Sequence, residues 1–224
     1  MTYYHIQELS NGKPEWKTGE QYDISESDFN WFYKLLINGI GDTKTTDGNE
    51  QIRLVKYVDQ YLYDDIEKKC SENDINYKHS LLQATVDILK DSLKQNLKWI
   101  QEEVFENIRL TLFPDLPSRK NCLWVCENQH LEKWWELFSS KDDNFKIYDR
   151  KILELRLEGK FHKADGRLMD PDTYKIEDFE TRARTYWNGT ILSEDRSEIL
   201  FVGKAIVINV FKDLNEIKTK PNKF

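Results

Sequence analysis

Apolar residues recur along this chain with two periods, and the changes between them mark its elements. Tyr3-Tyr4-His5-Ile6 opens a first strand predicted over residues 2–7. Residues 8–25 hold Gly12, Pro14 and Gly19 and read as a loop. Asp28–Ile37 sets Phe29, Phe32, Leu35 and Leu36 on one helical face, and Gly39–Gly48 reads as a polar loop. Two stronger helical patterns follow. Glu50–Lys69 spaces Ile52, Val55, Val58, Leu62 and Ile66 along one stripe. Ser80–Leu112 does the same with Leu82, Val86, Leu89, Leu93, Leu97, Ile100, Val104 and Ile108. Ser80 and Gln83 have capping-box spacing, and Pro114 and Pro117 stop the helix. The two stripes are expected to pack as an antiparallel pair.

Beyond Pro117 the pattern shortens. Cys122–Cys126 is a strand, and Asn128 caps a helix with Leu131, Trp134, Trp135 and Phe138 on one face. Leu153, Leu155 and Leu157 alternate with charged residues, as in a half-buried strand. Ala164-Asp165-Gly166 reads as a turn, in which Asp165 serves the turn itself. A helix over Lys175–Trp187 ends at Asn188-Gly189. Ile199–Val202 and Ala205–Phe211 are the last strands, with Gly203-Lys204 predicted as a two-residue hairpin loop. One strand, then helices, then strands mixed with short helices is an α+β order.

Composition narrows the class. With 7 Trp, 11 Tyr and 11 Phe in 224 residues, the chain has the aromatics for a packed core. Its net charge of −7 offers no general field for nucleic acid or an anionic membrane. No apolar run is long enough to span a bilayer, and the first residues lack the pattern of a signal peptide. Three cysteines make no disulfide framework, which points to a reducing, cytoplasmic setting. Cys122, Cys126 and His130 are spaced four apart, but no second half-site accompanies them, so no metal site is expected. Motifs of dinucleotide-binding Rossmann folds, P-loops, nucleophile elbows and zinc proteases are absent.

The chemistry-bearing candidates are few. His5 offers an imidazole on an early strand, where a sugar hydroxyl could meet it; the alternative is a surface histidine on an edge. Trp124 offers an indole for stacking, or simply a core ring. Glu198 stands where an exposed segment gives way to Ile199-Leu200-Phe201-Val202, so its charge can face a cleft, or merely the rim of a strand. Ser118 and Arg119 precede the Cys122 strand, and Arg119 carries a planar fork suited to phosphate, or is a solvated loop residue.

Taken together, these positions resemble the ADP-ribosyltransferase fold, in the branch whose site is built from His, Tyr and Glu on three separated strands. Tyr4-His5 is similar to that branch's first motif. Leu123-Trp124-Val125-Cys126 with the following helix is similar to its second, and Ser197-Glu198-Ile199-Leu200-Phe201 to its third. The small bacterial rifampin ADP-ribosyltransferases share the layout of the first two motifs. The chain also resembles an uncharacterised group of bacterial domains of unknown function, through Ser118-Arg119, Ala164-Asp165, Tyr186-Trp187-Asn188-Gly189 and Glu198-Ile199-Leu200 with Gly203. The likeness covers residues 3–16 and 117–211. One departure is Trp124 where the family has Tyr, which keeps stacking and loses the phenolic hydroxyl.

The resemblance implies a single domain over 1–224, with two small antiparallel sheets around an NAD cleft and a helical insertion over 40–112. It implies transfer of ADP-ribose from NAD to an acceptor. Glu198 would stabilise the oxocarbenium-like transition state, and Tyr4, His5, Trp124, Ser118 and Arg119 would bind NAD. A protein or small-molecule acceptor is favoured over nucleic acid by the acidic balance. The alternative is a module of the same fold that has lost catalysis and serves protein interaction or nucleotide sensing.

Overall fold

The computed structural model describes residues 2–9, 14–24, 42–44, 51–53, 75–137, 149–170 and 175–219. The chain divides into two compact units, one comprising Met1–Asn30, Phe105–Asp170 and Glu180–Phe224, the other Trp31–Val104 and Pro171–Phe179.

The first unit is built on one antiparallel five-stranded sheet. Its strands are β1 (Tyr3–Leu9), β2 (Gln21–Asp23), β5 (Leu123–Val125), β6 (Asp149–Asp165) and β7 (Ser197–Phe211). The order is β1-β6-β7-β2, with β5 also on β7. A bridge between Tyr4 and Cys126, with both backbone hydrogen bonds at 2.9 Å, draws β1 and β5 together. Helix and antiparallel sheet combine as an α+β fold. The five strands belong to one sheet rather than two small ones, because β6 and β7 run unbroken through its middle.

That continuity corrects the expected hairpin at Gly203-Lys204. Gly203 lies inside β7 and pairs with Gly159 of β6. It has φ +133°, and a Cβ there would lie 2.5 Å from the Glu158 carbonyl oxygen. A Cβ at Gly159 would strike the Val202 carbonyl oxygen. Two facing glycines let the paired backbones approach closely, so these glycines mark a tight pairing and not a chain reversal.

Paired residues of an antiparallel ladder share a face, and neighbours along a strand alternate. One face therefore carries Leu123, Val125, Leu153, Leu155, Ile199, Phe201, Ala205 and Val207, which pack with Trp16 and Ile24 into a core. The other face carries Cys122, Ala164 and Leu200. It packs on Tyr186 and Trp187 of α3 (Ile176–Trp187) and on Phe105, near the end of α1 (Ile75–Leu112). The same face, at Tyr4, Cys126, Ile152 and Phe211, receives Leu131 of α2 (Asn128–Leu137) and Leu214 and Ile217 of α4 (Leu214–Thr219).

Most strong sequence signals find their elements. Helix α1 ends at Leu112, before Pro114, and Arg109 closes it by donating to the carbonyls of Pro114 (3.1 Å) and Leu116 (3.0 Å). Helix α3 ends as expected: Gly189 has φ +72°, and its N–H bonds to the Tyr186 carbonyl at 2.9 Å.

Other expectations are corrected. Helix α1 starts at Ile75, so Ser80 lies within it and not at its N-terminus. The loop over 8–25 contains β2, which pairs with β7. In the second unit, β3 (Asp42–Lys44) lies in the expected 39–48 loop and pairs with β4 (Gln51–Arg53), the start of the expected Glu50–Lys69 helix. Ile52 between Gln51 and Arg53 satisfies a strand as readily as a helix, and so short a segment cannot separate the two periods. The remainder of that helix and the Asp28–Ile37 helix fall outside the described residues. Of the α1 stripe, Val86, Leu89 and Leu93 are exposed.

Candidate functional site

Glu198 is the second residue of the buried start of β7 and is itself 7% exposed. A charged group at that depth needs partners, and two converge on one of its oxygens. Arg119 Nη1 donates to Glu198 Oε1 in an ion pair, and the Tyr186 hydroxyl donates to the same oxygen. Arg119 Nη1 also donates to Tyr186 Oη at 2.6 Å, closing a three-membered network. Burial, with the Glu198 charge adding to it, pushes the Tyr186 pKa well above that of a free phenol, against the opposing effect of Arg119. Tyr186 is thus a neutral donor to the carboxylate.

Three local structures deliver this network. Arg119 leads a short 3₁₀ turn, Arg119–Asn121, capped by Ser118 Oγ, which accepts from Lys120 N at 3.1 Å. Ser118 Oγ in turn donates to Glu106 Oε2 at 3.0 Å, fastening the turn to the end of α1. Tyr186 sits in the last turn of α3, held by the Trp187 indole N–H on the Phe105 carbonyl at 2.7 Å. Glu198 follows a loop organised by Asp165, which is fully buried. Asp165 accepts from the backbone N–H groups of Arg167 (2.9 Å), Leu192 (3.0 Å) and Ser193 (2.9 Å). Burial would raise its pKa, but these bonds and the Arg167 side chain outweigh it and hold the carboxyl below its ordinary value. Asp165 thus serves the turn, as its position in the sequence implies.

Glu198 Oε2 is left differently. Among the described residues no hydrogen bond reaches it, and it faces Gly166, where a Cβ would lie 3.2 Å away. One carboxylate oxygen is clamped and the other is open to an incoming donor.

The sequence-derived candidates distribute unequally around this network. The Trp124 ring lies under the Arg119 guanidinium, 5.6 Å from it, and the Tyr186 ring is at 5.2 Å. Register puts Trp124 opposite Leu200 and Tyr4 opposite Cys126, so Tyr4 and Trp124 share the Glu198 face. Tyr4 is a core residue there. His5 points to the other face, 6.1 Å from the Trp16 ring, and its Nδ1 bonds the Trp124 carbonyl at 2.8 Å. Arg119 is a buried ion-pair partner, not a solvated loop residue. The structure therefore gathers Trp124, Arg119 and Glu198, with Ser118 beneath, and separates His5 from them by the thickness of the sheet.

Tyr186, His162 and Gly166 complete the surroundings and were not picked out from the sequence as site residues. His162 lies on β6 opposite Leu200, on the Glu198 face. It is 6% exposed, and Nε2 donates to the Tyr186 carbonyl at 3.0 Å. Burial, with a contribution from the Arg119 charge, lowers its pKa to about 4. Extending the Leu153–Leu157 alternation through Gly159 to Asp165 would have put His162 and Ala164 on one face.

Cys122 and Cys126 are buried thiols in different apolar clusters, and burial pushes the Cys126 thiol up to about 12, with Glu127 adding to the effect. His130 instead meets Glu194 at 3.5 Å. Among the described residues no His, Cys, Asp and Glu side chains gather to hold a metal ion, and no helix is long and apolar enough to cross a membrane.

Comparison with curated proteins finds no match. A family of proteins of unknown function, DUF2441, matches residues 3–216. With nearly its whole length matched, the chain belongs to the DUF2441 family of proteins of unknown function.

Proposed function

We propose that this domain transfers the ADP-ribosyl group of NAD to an acceptor, with Glu198 as the catalytic carboxylate. The observation that carries the reading is the divided carboxylate: Oε1 held by Arg119 and Tyr186, Oε2 unbonded beside Gly166. In the reaction the bond between the ribose C1′ and the nicotinamide nitrogen breaks. Nicotinamide leaves with the electron pair, and C1′ becomes oxocarbenium-like. The acceptor then attacks C1′ and loses its proton. Glu198 Oε2 accepts from a ribose hydroxyl, and its charge stabilises the developing cation, as preorganised groups do at any site of developing charge. Trp124 supplies an aromatic wall. His5 contributes indirectly, by fixing the Trp124 backbone from the opposite face. The net charge of −7 favours a protein or small-molecule acceptor over nucleic acid.

A second reading is a module that binds nucleotide or a protein without turnover. What favours it is the ion pair itself, since a positive charge fixed against Glu198 weakens its field at C1′. Incubation with NAD and measurement of released nicotinamide separates the two. Glu198→Gln keeps the shape and is expected to lower release by about 10²–10³. Unchanged release in this variant overturns the catalytic role, and NAD binding without release selects the second reading.

A further inference from the structure

We propose that His162 Nδ1 and Glu198 Oε2 act together as paired acceptors for two adjacent hydroxyls of a ribose. The Tyr186 carbonyl that His162 meets can only accept, so the imidazole proton is on Nε2. Nδ1 is then a bare lone pair. No hydrogen bond reaches it among the described residues, although the ring is more than nine-tenths buried. The imidazole stays neutral near pH 7, so this acceptor persists under working conditions. Nδ1 is not among the fully buried polar atoms that lack a partner, so a ligand hydroxyl can reach it.

The two acceptors are placed for one ligand. Glu198 pairs with Ala164, and His162 is two residues from Ala164 on the same face. Such diagonal neighbours lie about 7–8 Å apart at the backbone, a separation that hydroxyls on neighbouring carbons can bridge. Tyr186 links them, with its hydroxyl on Glu198 and its ring 5.4 Å from the imidazole. Both atoms can only accept, so together they match a pair of hydroxyl donors. The inference rests on the NAD reading, and it replaces His5 by His162 as the imidazole that meets sugar.

Two variants of the full chain separate ligand binding from architecture. His162→Gln keeps a donor near Nε2 for the Tyr186 carbonyl and deletes the Nδ1 acceptor. His162→Asn keeps an acceptor near Nδ1 and deletes that donor. Titration calorimetry with NAD is expected to show about tenfold weaker binding for His162→Gln, and less than about threefold for His162→Asn. Melting temperature should fall in the opposite order. The loss in His162→Gln should vanish with an NAD analogue whose nicotinamide ribose lacks both the 2′- and the 3′-hydroxyl. NAD binding by His162→Gln at wild-type strength overturns the inference, as does an equal loss with both ligands. If the wild type releases nicotinamide while His162→Gln binds NAD normally, the inference falls and the transfer reading stands. If His162→Gln loses affinity but the wild type releases no nicotinamide, the inference stands and transfer falls. If the wild type binds neither NAD nor ADP-ribose, both fall.

Discussion

Acidification should destabilise this fold through His162 before most of its carboxylates titrate. In the folded chain the imidazole pKa is about 4, against 6.5 for the free side chain. Between those values the unfolded chain binds a proton that the folded chain refuses, so stability falls as pH falls. The contribution is complete above about pH 6.5 and gone below about 4. At 1.36 kcal/mol per pH unit, the ceiling is about 3.4 kcal/mol. For a chain of this size that corresponds to a melting temperature lower by about 7–14 °C. The physical cause is burial first and the Arg119 charge second, opposed by the bond to the Tyr186 carbonyl. Urea unfolding at half-unit steps from pH 7.5 to 4.0 measures it, with His162→Gln as reference because glutamine does not titrate. Groups common to both proteins cancel in the difference. The gap between the two curves should change in this window by 2 kcal/mol or more and then level off. Parallel curves, agreeing within about 0.5 kcal/mol throughout, would show that His162 is not buried as described.

Three further outcomes follow from the same structure. Asp165→Asn should destabilise by about 2–3 kcal/mol in urea unfolding, because a neutral amide is a weaker acceptor for three backbone N–H groups. The Asp165 carboxylate's advantage is present above its ordinary value of 3.8 and disappears as pH drops further. Gly159→Ala should lower stability by about 2–4 kcal/mol, since its Cβ meets the Val202 backbone, while an alanine at Gly19, where a Cβ meets no atom within 4 Å, measures positive-φ strain alone. Tyr186→Phe preserves the ring but strips Glu198 of a donor and Arg119 of an acceptor. A loss of about 1–3 kcal/mol is expected, with thermal melting as the readout.

Much of the architecture was legible because it depends on short-range pattern. The Leu112 end of α1, the α2 and α3 helices, and the strands around Trp124 and Leu153 are announced by periodicity, proline and glycine. Glu198 stood out because a carboxylate precedes an apolar strand, and Arg119 because it sits next to one. Their partnership did not stand out: 79 residues separate them in the chain, and no local rule pairs residues so distant. Gly203 misled for the opposite reason. Its dipeptide suits a turn, whereas its role is to let β7 lie close against Gly159 of β6.

What the chain alone determined is therefore the class of fold, α+β, and the polar residues set against apolar strands. Periodicity and composition act over a few residues and carry that much. The register of β5, β6 and β7 decided the rest. It put Trp124, His162 and Glu198 on one face and His5 on the other, because side-chain direction alternates with each residue and only the pairing says which parity meets which. Packing of α3 on that face then brought Tyr186 to the carboxylate and left one oxygen open.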